Sequence, residues 1–221
     1  HLNHTKRNTY KVSLRDEIMG FTKKTKYYTG VVYEWNLPTG WRCPSAKECL
    51  VKVDRDTGKM DNKSNEYRCY SASAERFPGV RNSRWNNFEQ SKKEIPELPK
   101  NCKSVRVHSS GDFYSQDYFD KWIDYCKENK DVEFWAYTKS INYWIKRINE
   151  IPDNLILTAS YGGKYDNLIS EYNLKNVIVI KEIKNDKPID FNDDVARIKD
   201  VSFYLLDNNI IGKDNQKKKL K

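Results

Sequence analysis

Val105-Arg106-Val107-His108-Ser109-Ser110-Gly111-Asp112-Phe113 is the stretch on which the reading of the whole chain turns. Its first half is apolar and alternating, and its second half is small, polar and turn-forming. The first half predicts a buried strand, and the Ser-Gly-Asp part predicts the loop leaving it. His108 and Asp112 then stand where a strand empties into a loop, the usual place for chemistry in α/β folds.

Five further apolar runs flank this one, at 30–35 (GVVYEW), 132–137 (VEFWAY), 155–160 (LILTAS), 177–181 (VIVIK) and 201–206 (VSFYLL). Most are β-branched or aromatic and nearly continuous, as expected of strands covered on both faces of a parallel sheet. Helical patterns fall between them. Ser115 can cap a helix whose apolar stripe is Tyr118, Phe119, Trp122, Ile123 and Cys126. Ile141, Trp144, Ile145 and Ile148 repeat helical spacing until Pro152 stops them. A weaker helix runs from Trp85 to Ile95, and a short one covers 166–172.

Alternating strands and helices call for right-handed crossovers and one parallel sheet. The expected architecture is a single α/β domain over residues 1–212, with a mostly parallel, curved sheet or a partial (β/α)6 barrel. A long cysteine-bearing insertion, at about 36–103, follows the first strand, and a basic tail occupies 213–221.

The chain's 221 residues can bury a sizeable core, and 38% apolar with 13% aromatic residues is too rich for disorder. No apolar stretch approaches the roughly 20 residues that span a bilayer. His1 to Asp16 is polar and basic, unlike a signal peptide, and an opening His rather than Met points to a trimmed chain. Forty Lys and Arg against 31 Asp and Glu leave a formal charge of +9. Lys213 to Lys221, with Lys6, Arg7, Lys23, Lys24 and Lys26, supplies much of it. That balance fits DNA or another polyanion as a partner, and it equally fits an ordinary lysine-rich surface.

Cys43, Cys49 and Cys69, three of the five cysteines, lie in one loop-rich stretch separated by five and nineteen residues. In a reducing compartment such clustering points to metal rather than disulfides. The spacing matches no zinc ribbon, since no CxxC pair is present, and it departs from common ferredoxin spacings. Three thiolates from one loop still suffice for an iron–sulfur cluster, with one iron left for another ligand. Cys102 precedes a strand and Cys126 lies on the helical stripe, so both read as structural. Asp54 to Asp61 resembles a calcium loop only superficially: Lys59 and Asn65 stand where Gly and Glu are required.

His108 reads as a fourth ligand, a general acid or base, or a core histidine, with Asp112 available to orient its ring. Lys139, in Thr138-Lys139-Ser140, follows the third expected strand. Ser160-Tyr161-Gly162-Gly163-Lys164 follows the fourth, where the glycine pair frees backbone amides for close approach to a ligand. In a parallel sheet these loops converge with the cysteine loop at one carboxyl edge. The candidate catalytic set is therefore His108, Asp112 and Lys139, the cofactor-binding set Ser109, Tyr161, Gly162 and Gly163, and the metal set Cys43, Cys49 and Cys69.

The stretches CPSAKECL, DRDTGK, YRCYSAS, FPGVRNSRWNNF, VRVHSSGDFYSQDYFDKW, FWAYTKS and IPDNLILTASYGGKYDNLI carry a resemblance to the phage gene-product-88-like proteins. They cover about 33–170, in order, and the final fifty residues match less clearly. The resemblance implies a viral origin, a place in the virion or the host cytoplasm, and a cysteine site holding a [4Fe–4S] cluster. The chain is also similar to an iron–sulfur protein of giant-virus cores. Its expected architecture resembles the radical S-adenosylmethionine enzymes, whose three-cysteine loop follows the first strand of a partial barrel. Those enzymes carry CxxxCxxC and a glycine-rich motif after the second strand. Here the cysteine intervals are longer and Gly162-Gly163 follows the fourth strand, which counts against S-adenosylmethionine as a cofactor.

Three functions fit this sequence. The first is a [4Fe–4S] protein with redox or radical chemistry at the sheet's carboxyl edge, with an enzymatic role left open. The second is a non-enzymatic, basic virion protein that binds nucleic acid, with zinc or a cluster stapling its long loop. The third, a hydrolase using His108 and Asp112, needs a nucleophile or metal that the sequence does not place.

Overall fold

The computed structural model describes residues 20–61 and 69–207. Seven strands form one sheet in the order of the chain: β1 (Thr22–Lys24), β2 (Val32–Trp35), β3 (Ser104–Val107), β4 (Glu133–Thr138), β5 (Leu155–Ser160), β6 (Asn176–Ile180) and β7 (Phe203–Leu206). β1 pairs antiparallel with β2, and every later pair is parallel. The sheet is open, with β1 and β7 as its edges.

β1 corrects the expected strand count, so the long insertion follows the second strand rather than the first. Its sequence, Thr-Lys-Lys, has no apolar residue and is held by backbone pairing to β2. An edge strand needs no apolar pattern when its neighbour supplies the ladder.

Side-chain alternation divides the sheet into two covered faces. Val105, Val107, Phe134, Ala136, Leu155, Leu157 and Ala159 face the helices α1 (Pro78–Lys93), α2 (Gln116–Glu128), α3 (Ile141–Trp144) and α4 (Asp166–Glu171). α2 brings the expected stripe: Tyr118, Phe119, Trp122, Ile123 and Cys126 are all buried. Each large side chain of that stripe contributes on the order of 1.5–3 kcal/mol. Ser115 caps the helix by accepting the Tyr118 amide at 3.2 Å, a contact of about 1 kcal/mol. Trp35 reaches across from the sheet, and its indole N–H donates to the Tyr118 hydroxyl at 2.9 Å. The second helical pattern is shorter than its spacing predicts: α3 tightens after Trp144 into a 3-10 turn at Ile145–Arg147.

The opposite face carries Val32, Trp135, Val177 and Phe203, and it is covered by the irregular segment between β6 and β7 rather than by helices. Ala196 of that segment packs among them. Lys175 donates to the carbonyls of Ala196 and Ile198 at 2.6 Å each, which holds the segment down. Asp193 pairs there with the buried Arg106 and accepts from Trp135 Nε1 at 3.1 Å and from the Tyr137 hydroxyl at 2.8 Å. The basic tail at 213–221 and the lysine and arginine at positions 6 and 7 lie outside the described residues. Among the described residues no helix is long and apolar enough to cross a membrane.

Candidate functional site

Because β2 to β5 run parallel, the loops leaving them meet at one edge, and their backbones are hydrogen-bonded together. The Leu37 amide donates to the Ser110 carbonyl at 2.9 Å, and the Asp112 amide to the Arg42 carbonyl at 2.7 Å. The amides of Lys47 and Glu48 both donate to the Gly162 carbonyl, at 3.1 and 3.0 Å. Lys164 returns two bonds, from its amide to Ser45 O at 2.9 Å and from Nζ to Pro44 O at 2.7 Å. The segment carrying Cys43 and Cys49 is thus fastened to the β3 and β5 loops at both ends. Gly40, just ahead of it, has φ 72°, and a Cβ there would run into the Val51 carbonyl. No other residue closes this turn.

All five cysteines are free thiols; Cys43, Cys49 and Cys69 retain partial solvent access, and Cys102 and Cys126 are buried. Burial pushes the Cys43 thiol well above its usual range, and Asp112, Cys69 and Cys49 add to the rise. Burial raises Cys49 as well, against the nearby Lys139 ammonium, with Cys69 and Asp112 contributing upward. Cys43 thus feels both other cysteines of the trio, Cys49 feels Cys69, and both feel Asp112. Cys102 and Cys126 belong to the main core instead.

Asp112 is 5% exposed. Its carboxylate accepts from Thr138 Oγ1 at 2.6 Å, the Phe113 amide at 2.7 Å and the Lys139 amide at 2.8 Å. Burial nevertheless raises its pKa to about 6, against the lowering effect of those bonds. Lys139 Nζ donates to Ser160 Oγ at 2.5 Å, which ties the β4 loop to the end of β5.

His108 is not brought into this group. Its φ of 62° swings the ring out of strand alternation and under α2. There it packs edge-on to Phe113 at 4.8 Å, and Nε2 lies 2.9 Å from the Tyr118 hydroxyl. Burial, helped by Arg106, lowers its pKa to about 3, so the ring is neutral at physiological pH. Its Nδ1 has no hydrogen-bond partner among the described residues. Asp112, expected as a partner for the ring, is engaged with the β4 loop instead.

Of the expected cofactor-binding residues, Ser109 offers its carbonyl to the Tyr70 hydroxyl at 2.6 Å, beside Cys69. Tyr161 packs against the main core. The amides of Gly162 and Gly163 donate to the Asp166 carboxylate at 2.8 and 2.9 Å, so they are satisfied within the chain. Gly162, at φ 91°, also lets Glu48 approach closely. In this structure the glycine pair seats the cysteine loop.

Sequence reasoning missed a buried polar group behind Cys69. Glu75 and Arg84 form an ion pair at 2.7 Å, and they are 0% and 9% exposed at the side chain. Glu75 also accepts the Thr39 amide at 2.7 Å. Both residues sit in stretches with weak apolar periodicity, where a charge reads as surface; only tertiary contact buries them.

Among the described residues no three His, Cys, Asp or Glu side chains stand close enough to hold a single metal ion. A mononuclear tetrahedral thiolate site, with metal–sulfur bonds of about 2.3 Å, needs sulfurs within roughly 4 Å of one another. Ligands to separate irons of a cluster stand further apart, and thiolate is the donor that iron–sulfur clusters use. Three free thiols at one loop edge are the donor chemistry that such a cluster takes.

The Gene 88 protein of Mycobacterium phage L5 is 26% identical to this chain over 160 residues, covering 63% of this chain and 61% of that protein. The match thus spans about three fifths of the relative's length. No solved structure matches the chain. A family model described as Gene product 88 matches residues 13–219, nearly the whole sequence, and the protein belongs to that family.

Proposed function

We propose that this is a viral iron–sulfur protein in which Cys43, Cys49 and Cys69 hold a [4Fe–4S] cluster at the carboxyl edge of the sheet, in a redox or radical-type role. The observation that carries this reading is the sorting of the five cysteines. Three share one electrostatic neighbourhood at the loop edge, and two are core residues. Burial keeps the Cys43 and Cys49 thiols protonated without metal, and a bound cation reverses that by deprotonating its ligands.

Such a group, when bound, supplies one-electron transfer. The chain's own residues do the rest. The clamp from Gly162 and Lys164 fixes the loop, Asp112 holds the β4 turn, and Lys139 sets a positive charge near Cys49. His108 serves the core and takes no part as a base. An open sheet with its cysteine loop after the first parallel strand supports a likeness to the radical S-adenosylmethionine architecture. The cysteine spacing speaks against S-adenosylmethionine itself, and the engaged Gly162 and Gly163 amides leave less to bind it. The likeness to the giant-virus core protein rests on sequence alone.

The test is anaerobic purification or reconstitution, followed by iron and sulfide analysis and visible spectroscopy. A brown protein with about four irons and four sulfides, lost on changing Cys43, Cys49 or Cys69 to Ser, is the expected result. A colourless protein holding one zinc would overturn it.

The +9 charge favours a second reading, a basic virion protein that binds nucleic acid with the metal as a staple. It predicts duplex DNA binding that is indifferent to sequence and falls steeply with salt, through counterion release. A chain ending before Lys213 should bind more weakly. Affinity that stays flat from low to physiological salt would dispose of this reading.

A further inference from the structure

A row of hydroxyls leads from Cys69 into the protein. Ser71 Oγ lies 3.3 Å from Cys69 Sγ and 3.2 Å from Thr39 Oγ1. Thr39 Oγ1 in turn lies 2.8 Å from Ser110 Oγ and accepts from Arg84 Nη1 at 3.1 Å. The same guanidinium nitrogen donates to the Ser71 carbonyl at 3.0 Å and to Glu75 at 2.7 Å. Thr39, Ser71, Ser110 and Arg84 are all at least nine-tenths buried. Each comes from a different element: the loop after β2, the turn before Ala72–Arg76, the loop after β3, and α1.

Donor counting decides which contacts of the row carry a proton. Arg84 is a donor only, so at that end Thr39 is the acceptor. A ligating cysteine has lost its proton and can only accept, so at the other end Ser71 must donate to Cys69. Ser110 Oγ spends its one proton on the Leu37 carbonyl at 2.9 Å, so in the 2.8 Å contact Thr39 donates to Ser110 and has no proton left for Ser71. Arg84 reaches Ser71 through its carbonyl at 3.0 Å, which fixes the backbone from which the hydroxyl donates. Nothing comparable stands behind Cys43 or Cys49 among the contacts of the described residues.

We infer that Ser71, its carbonyl held by Arg84, is a positioning residue that donates a hydrogen bond to the Cys69 ligand sulfur, and that it raises the reduction potential of the bound cluster. The inference rests on the cluster reading above. A hydrogen bond to a ligand sulfur withdraws electron density and favours the reduced, more negative state, one of the levers by which proteins tune such centres.

The experiment is redox titration, followed by electron paramagnetic resonance, of reconstituted wild type, Ser71→Ala and the isosteric Thr39→Val. The expected result is a more negative midpoint in Ser71→Ala, a midpoint near wild type in Thr39→Val, and unchanged iron content in both. Loss of a structural contact alone would lower stability without moving the midpoint. A midpoint in Ser71→Ala equal to wild type overturns the inference and leaves the cluster reading intact. If Ser71→Ala holds no cluster, proton spectroscopy of the reduced wild type in H2O and D2O decides. An exchangeable proton coupled to the cluster, retained in Thr39→Val, supports the hydrogen bond from Ser71; its absence overturns it. Wild type that binds no iron and sulfide overturns the cluster reading, and with it this inference.

Discussion

The Glu48 amide donates to the Gly162 carbonyl at 3.0 Å, and a Cβ on Gly162 would stand 2.7 Å from a Glu48 carboxylate oxygen. The end of β5 and the cysteine segment thus approach as closely as backbone allows, across more than a hundred residues of chain.

Gly162→Ala should therefore loosen the cysteine loop. The Glu48 carboxylate can swing aside, so most of the cost comes from φ 91°, about 1–2 kcal/mol for a residue with a side chain. Urea unfolding should show that loss, and reconstituted protein should release iron to a chelator faster than wild type. Equal release rates would mean that the clamp does not hold the loop.

Cys102→Ser and Cys126→Ser should leave iron content unchanged and lower stability, Cys126→Ser the more, since that thiol is fully buried on the α2 stripe. Exchanging a buried thiol for a hydroxyl with no partner costs about 1–3 kcal/mol. Chemical denaturation with parallel iron analysis separates the two effects. Loss of iron in Cys102→Ser, together with full retention in Cys69→Ser, would refute the ligand assignment.

His108 makes a pH prediction of definite sign. Its pKa falls from 6.5 to about 3 on folding, so between those values the unfolded chain binds a proton that the native protein does not. Stability from this group is full above pH 6.5 and declines as pH falls towards about 3, by at most about 1.4 kcal/mol per pH unit. Asp112, raised to about 6, contributes with the opposite sign over its own range. The comparison is therefore wild type against His108→Gln, which should be less stable at neutral pH and flatter with acid. Parallel curves would show that His108 does not lose its proton affinity on folding.

Arg106 and Asp193 should be strongly coupled. Arg106 lies over the Tyr137 ring at 4.2 Å, and the pair is 8% and 13% exposed. Asp193→Ala leaves a buried guanidinium without its counter-charge, a loss of about 3–5 kcal/mol. Adding Arg106→Met removes the stranded charge, and the double variant should be more stable than Asp193→Ala alone. Additive losses in a double-mutant cycle would mean that the two charges do not interact.

The sequence by itself determined the sheet and its helices. Continuous β-branched and aromatic runs marked β2 to β7, and one apolar stripe marked α2, because burial on two faces or on one leaves a direct imprint on residue type. It also separated Cys43, Cys49 and Cys69 from Cys102 and Cys126, since loop and core settings differ in composition. Only the tertiary structure decided the rest. β1 has no apolar pattern because its partner's backbone supplies the pairing. His108 left the loop edge because one positive φ reversed its side-chain direction, which no periodicity records. Gly162 and Gly163 looked like a ligand cradle until Asp166 took their amides. Glu75 and Arg84 left no signal in the sequence, and only the loop after β2 folding over them buries the pair. Each of these turns on a contact between distant parts of the chain, where packing rather than local residue pattern sets direction and burial.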